Sequence, residues 1–257
     1  ATQVTGHGAA LKAGEYQFPA DISLRSSVEL LQQGKTVVHR LTVPEGFTTA
    51  QVLDLLQNAE GLYGNIDGKP EEGSLLPETY HYSWGDDRQA VLERMRAGMK
   101  KAHDELWPHH AATLPLKTWN EAVILASMVE RETGAMSERP RVAAVFANRL
   151  RQGMKLQSDP TVIYGLSDGR GSIDHALTKA DLASKTPYNT YVIEGLPPKP
   201  IANPGLASLR AVMHPADSED LFFVADGSGG HVFSKTLAEH NHNVARWRKV
   251  EKSSAAE

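Results

Sequence analysis

A glutamate that closes an apolar run is the group in this sequence best placed for acid–base chemistry. Residues 122–126, 128 and 129 are apolar or small, and Glu130 follows them. If 121–133 is a helix, two effects act on Glu130 in the same direction. Apolar neighbours disfavour its anion, and so does the negative end of the helix dipole. A carboxyl kept protonated near neutral pH can supply the proton that a leaving glycosidic oxygen needs. Ser127, one turn earlier on the same face, is placed to hydrogen-bond it. A plainer reading pairs Glu130 with Arg131, Arg139 or Arg149, and the sequence leaves both readings standing. Glu132 points roughly to the opposite side of the helix, so the two glutamates cannot flank one sugar bond as acid and nucleophile. Glu132 is expected to make a structural ion pair or cap the next turn. A catalytic Glu130 then needs a second carboxylate, with Asp159 the best candidate, or must carry out both proton transfers itself.

Two later stretches suit a saccharide. Gln157, Ser158, Asp159 and Thr161 in one, and Tyr188, Asn189, Thr190 and Tyr191 in the other, mix amide, hydroxyl and aromatic groups. Aromatic faces pack on sugar C–H surfaces, and amides hydrogen-bond hydroxyl and N-acetyl groups. The same residue types are common turn formers, so neither stretch decides the matter alone. Other chemistries fare worse. With no Cys there is no thiolate zinc, thiol nucleophile or disulfide framework. The 11 His include no His-Glu-x-x-His pair, and His240 and His242 point apart on a helix. His231, beside a Gly-rich turn, could approach a cleft. No Gly-x-Ser-x-Gly elbow is present. No metal and no cofactor is therefore expected, and a net charge of −4 gives no reason to expect nucleic acid.

These groups need elements to position them. The chain has 257 residues, 40% of them hydrophobic, enough for a real core. Residues 14–33 and 39–58 read as an internal repeat of strand, Pro-containing turn and helix, the first helix opened by a Ser26–Glu29 capping box and the second by Thr48 or Thr49. This small module is expected to end in the Gly/Asn/Asp-rich stretch 61–68. A helix from about Asp87 to Leu106 follows. Thr118 and Glu121 form a capping box that opens the helix carrying Glu130, buried because it is apolar all round. Another helix runs from about Ser137 to Gln152. Residues 153–205 read as loop. A helix near Ser208–Met213 precedes a hairpin turned at residues 226–230, and a last helix spans about Leu237–Val250. No segment is long enough to span a bilayer. The chain opens on Ala1, so a signal peptide, an anchor or only the initiator Met is expected to have preceded it.

Several segments together resemble the YceG-like (MltG) endolytic murein transglycosylases. They are 126–133 (ASMVERET), 145–150 (VFANRL), 156–165 (LQSDPTVIYG), 188–191 (YNTY), 195–198 (GLPP), 201–205 (IANPG) and 223–227 (FVADG), with the loop 73–80. Their order is preserved over most of 10–250. The resemblance implies an α+β fold: a LysM-like module at 9–68, a larger helix-rich, lysozyme-like catalytic domain with a β-hairpin at 69–250, and a disordered tail at 251–257. It implies cleavage of the β-1,4 bond between N-acetylmuramic acid and N-acetylglucosamine within glycan strands, leaving 1,6-anhydro ends without consuming water. It places the family's catalytic Glu on Glu130, as acid and then as base, with the muramic C6 hydroxyl as internal nucleophile. It adds Ser127 and Asn203 to the candidate substrate-binding residues. It implies a single N-terminal membrane anchor absent from this chain, a catalytic part outside the cytoplasmic membrane, and action on nascent strands beside peptidoglycan synthases. Two rival readings remain: a non-catalytic glycan-binding scaffold that recruits synthases, and a lysozyme-like hydrolase.

Overall fold

The computed structural model describes residues 14–254. In chain order the elements are α1 (Leu24–Gln33), β1 (Val38–Thr42), α2 (Thr49–Asn58), β2 (Thr79–Ser83), α3 (Arg88–Leu106), α4 (Trp119–Glu132), α5 (Arg139–Arg151), α6 (Asp159–Leu166), α7 (Lys179–Leu182), α8 (Leu206–Met213), β3 (Phe222–Ala225), β4 (His231–Ser234) and α9 (Leu237–Ser254). The architecture is the mixed α+β one expected from the sequence.

Local chemistry sets the ends of the helices. Thr48 and Gln51 cap α2 reciprocally: Thr48 Oγ1 accepts from the Gln51 N–H, and Gln51 Oε1 accepts from the Thr48 N–H. The first helix starts a turn earlier than its Ser26–Glu29 pattern suggests. Ser23 is the N-cap of α1, and Glu29 pairs with Arg25 at 3.1 Å instead of reaching back. The first copy of the expected repeat also lacks its strand, since residues 15–19 are irregular. Pro19 has no N–H to give a ladder, and the Val37 N–H donates to the Glu15 carbonyl without a strand forming.

β1 finds its partner further on. It pairs antiparallel with β2, with Leu41 opposite Tyr80 and His39 opposite Tyr82. The small core built on this sheet contains Val52 and Leu56 of α2 and also Val91, Leu92 and Met95 of α3. It therefore continues beyond the boundary expected at residue 68, and the strand that closes the sheet lies past it. α3 serves both lobes, because Met99 and Ala102 belong to the main core. The expected module start at 9–13 and the tail residues 255–257 lie outside the described residues. The remainder of the expected tail, 251–254, is the last turn of α9.

α4 is the axis of the main core. Every residue from Ala122 to Val129 is buried, with α5, α6 and α8 packed around it. The hairpin β3–β4, with Phe223 opposite Phe233 and Ala225 opposite His231, lies over α5. Phe223 meets Phe146 of α5 edge-on at 6.0 Å.

Candidate active site

At the exit of α4 the chain sends two glutamates in different directions. Positions two apart on a helix are separated by about 200°. Glu130 faces the small lobe. Its Oε1 lies 2.7 Å from Arg139 Nη2, with both side chains almost fully buried. Its Oε2 accepts from the Gly205 N–H at 2.9 Å, at the N-cap of α8. The same Arg139 nitrogen holds Glu45 at 3.0 Å, in the turn that precedes α2. Burial raises the pKa of Glu130 above its ordinary value, helped by the Glu45 charge and opposed by the Gly205 N–H and the Arg139 guanidinium. The raised pKa expected from burial is found, while the dipole argument holds for only one of the two helices at this carboxyl. Glu130 leaves the negative end of α4 but enters the positive end of α8, which favours its anion. Both oxygens are engaged in binding two elements and a turn together, which is the plainer of the two readings the sequence left open. Ser127 does not reach it: its hydroxyl donates to the Ile124 carbonyl at 2.7 Å and accepts from the Ile201 N–H at 3.0 Å.

Glu132 faces a pocket. The cavity, about 340 Å³, is walled by Arg149, Gln157, Asp159, Tyr191, Phe222 and Phe223 among others. The expectation of a structural ion pair is not met; no basic group lies within ion-pair distance of Glu132 among the described residues. Its Oε1 accepts from Ser158 Oγ at 2.5 Å. Burial, with the nearby Asp159 charge, raises its pKa to about 7, against the Ser158 hydroxyl and the charges of His231 and Arg149. Near neutral pH this carboxyl can give a proton and take one back.

The frame of the pocket is built from residues first read as sugar ligands. Ser158 and Thr161 are buried. Thr161 Oγ1 lies 2.6 Å from the Ser158 carbonyl and 2.8 Å from Thr190 Oγ1, and Thr190 Oγ1 accepts from the Ser158 N–H at 2.9 Å. Asn189, fully buried, donates to the Leu182 and Ser184 carbonyls and accepts from the Tyr191 N–H. These side chains tie the 157–161 turn to the 188–191 loop and have little left for a ligand. What they present to the cavity is Gln157, Asp159 and Tyr191, with Tyr191 Oη donating to Asp159 Oδ1 at 2.5 Å. Gln157 is held at a φ of +50°, a region that costs a non-glycine residue energy and recurs at functional sites.

Tyr188 goes elsewhere. It packs against Tyr164 at 4.8 Å and lines a second cleft of about 390 Å³ with Glu72, Lys69 and Lys199. The two cavities lie at opposite ends of α6. Asn203 is wholly buried behind that cleft. Its Oδ1 accepts from the Leu75 N–H, and its Nδ2 donates to the Phe47 carbonyl, Thr49 Oγ1 and Glu72 Oε1. It joins the lobes and is closed to a sugar. Among the described residues no group of three or more His, Asp or Glu is placed to hold a metal ion.

Sequence reasoning passed over Glu132, although a signal existed. A helical side chain lies over the turn N-terminal to its own Cα. Glu132 therefore lies over Met128 and Val129, whereas Glu130 lies over Ala126 and Ser127. The more desolvating side of the helix was the side of Glu132.

The fold belongs to a known class. The model of the YceG-like family matches residues 1–246, and the chain belongs to that family. Among particular relatives, it is 37% identical over 173 residues to an endolytic murein transglycosylase of Bacillus subtilis, covering 67% of this chain and 46% of that protein. It is 29% identical to an endolytic murein transglycosylase of Streptococcus pneumoniae, covering 91% of this chain and 50% of that protein. The chain thus spans about half the length of these curated relatives. The crystal structure of a YceG-like protein of Listeria monocytogenes superposes with a TM-score of 0.66 at 29% identity, covering 94% of this chain and 87% of that one.

Proposed function

We propose that this chain is a lytic transglycosylase of peptidoglycan, cutting the β-1,4 bond between N-acetylmuramic acid and N-acetylglucosamine within glycan strands, and that Glu132 is its acid–base group. The observation that carries this reading is a carboxyl set in a polar-walled pocket with its pKa brought to about 7. Protonated Glu132 gives its proton to the glycosidic oxygen as the bond to C1 breaks. The resulting carboxylate takes the proton of the muramic C6 hydroxyl as that oxygen closes on C1. The acid is regenerated, a 1,6-anhydro end is left, and no water is consumed. The nucleophile is part of the substrate, so proximity replaces a second base. Asp159 offers its negative charge to the oxocarbenium-like transition state, oriented by Tyr191. α6, at eight residues, is about 12 Å long, and an extended strand passing along it meets the Glu132 pocket at one end and the Tyr188 cleft at the other. Engagement of nascent strands beside synthases, from a membrane anchor, belongs to the same proposal; no helix among the described residues is long and apolar enough to cross a membrane.

A second reading has its own observation. Two carboxylates, Glu132 and Asp159, share one pocket, as a lysozyme-like hydrolase requires. Mass spectrometry of intact peptidoglycan after digestion separates the possibilities. Anhydro ends formed inside strands support the transglycosylase, and reducing ends support the hydrolase. Strand binding without either product leaves only a scaffold.

A further inference from the structure

The hairpin β3–β4 ends next to the site, and its first return residue is His231. The His231 N–H donates to Glu138 Oε1 at 2.8 Å, and His231 Nδ1 lies 2.7 Å from Glu138 Oε2. A carboxylate bound to Nδ1 and the same residue's backbone N–H fixes the ring's orientation and puts its proton on Nδ1. Nε2 then carries the free lone pair, and it has no hydrogen-bond partner among the described residues. Glu138 is itself held by Thr133 Oγ1 at 3.2 Å, and Thr133 directly follows Glu132. The ring stands edge-on to Phe223 at 5.4 Å, and Phe223 lines the Glu132 pocket. Gly230 completes the latch. A Cβ there would fall 2.8 Å from Glu138 Oε1, so the bare backbone lets the carboxylate approach the hairpin.

We propose that His231 is a positioning residue for Glu132: the hairpin sets an imidazole against Phe223, a wall of the Glu132 pocket, and Glu138 fixes which of its nitrogens is free. The inference rests on the reading of Glu132 as the acid–base group. An imidazole that takes up a proton at Nε2 places a cation near the carboxylate and stabilises the state of Glu132 that has just given its proton away. That state must accept a proton in the second half-reaction, so the pair couples the two steps. The charge of His231 does favour the Glu132 anion. Other charged groups face the two residues: Asp159 of α6 and Arg149 of α5 near Glu132, His240 of α9 at the pocket wall, Glu138 on His231, and Arg141, which lies over the Phe233 ring and is bound to Asp220. All of them remain when either partner of the pair is replaced.

Carbon-detected NMR titration of the Glu132 carboxyl in the whole chain reads the coupling directly. In His231→Gln its midpoint is expected to rise from about 7 by about one unit. His231→Lys, which returns a cation to the same place, is expected to bring the Glu132 midpoint back down toward its wild-type value. A midpoint raised in His231→Gln and lowered again in His231→Lys supports the proposal. A midpoint that stays put in His231→Gln overturns it, including the case where that variant merely lowers the melting temperature. The acid–base reading stands or falls separately: a Glu132→Gln protein that still cuts strands defeats it even if the midpoint moves as expected.

Discussion

At the residue scale, Glu130 and Glu132 carry the same charge on the same helix end and differ in what they face. Glu130 is one member of a buried ion pair. Removing Glu130 leaves Arg139 with the half-exposed Glu45 as its remaining partner, at a cost of up to about 3 kcal/mol. Glu132 is the opposite case. Its folded pKa is about 7 against an ordinary 4.5, so between those values the native state holds more protons than the unfolded chain. Stability therefore falls as pH rises through that window, by an amount on the order of 3 kcal/mol when complete. Gln cannot ionise, so Glu132→Gln is expected to match wild type near pH 4 and to be more stable than it at pH 8. Glu130→Gln gives up the Arg139 ion pair and is expected to be less stable than Glu132→Gln at pH 8. Urea unfolding of the three proteins at both pH values checks this, and the reverse order at pH 8 contradicts it. That a carboxyl of raised pKa sits at the end of α4 was legible from the apolar run. Which of the two glutamates it was depended on Arg139, Gly205 and Ser158, whose approach to the helix end is a matter of tertiary structure.

At the element scale, the site depends on helix ends meeting side chains from elsewhere. α8 begins at Gly205, whose N–H binds Glu130. A Cβ at Gly205 would lie 1.8 Å from Glu45 Oε1 and 2.2 Å from Glu45 Cδ, so any larger residue must displace the Glu45 side chain. Gly205→Ala is expected to push Glu45 away from Arg139 and to destabilise the protein by about 1–3 kcal/mol; a melting temperature equal to wild type would argue against that packing. α6 shows why part of the site was hidden. The stretch Ser158-Asp159-Pro160 reads as a turn, yet proline is allowed in a first helical turn. Ser158, the N-cap of α6, makes no side-chain cap bond, because its hydroxyl is given to Glu132. The hairpin and the long helices were legible, since their periodicity and capping residues are local. The partner of β1 was not, because β2 lies after a long irregular stretch that looked like an exit from the module.

At the scale of the whole molecule, two lobes share α3 and are joined by buried polar side chains. Asn203 is one such joint. Its amide satisfies groups at Leu75, Phe47, Thr49 and Glu72. Asn203→Ala would leave the Leu75 N–H and the Glu72 carboxyl short of partners, and a loss of about 1–3 kcal/mol is expected for each buried group left unsatisfied. Urea unfolding should show it, with the small lobe melting ahead of the main core; a single unshifted transition would mean the lobes are held by something else. The family resemblance puts Asn203 among the sugar ligands, and nothing local in the sequence reveals that the other lobe covers it. The central claim, that the pocket side of α4 and not the lobe side does the chemistry, is tested most directly by counting anhydro ends released from intact glycan strands by wild type, Glu130→Gln and Glu132→Gln at a temperature where all three are folded. The expected result is product from wild type and from Glu130→Gln and none above background from Glu132→Gln. Product from Glu132→Gln, with Glu130→Gln inert though folded, would contradict it.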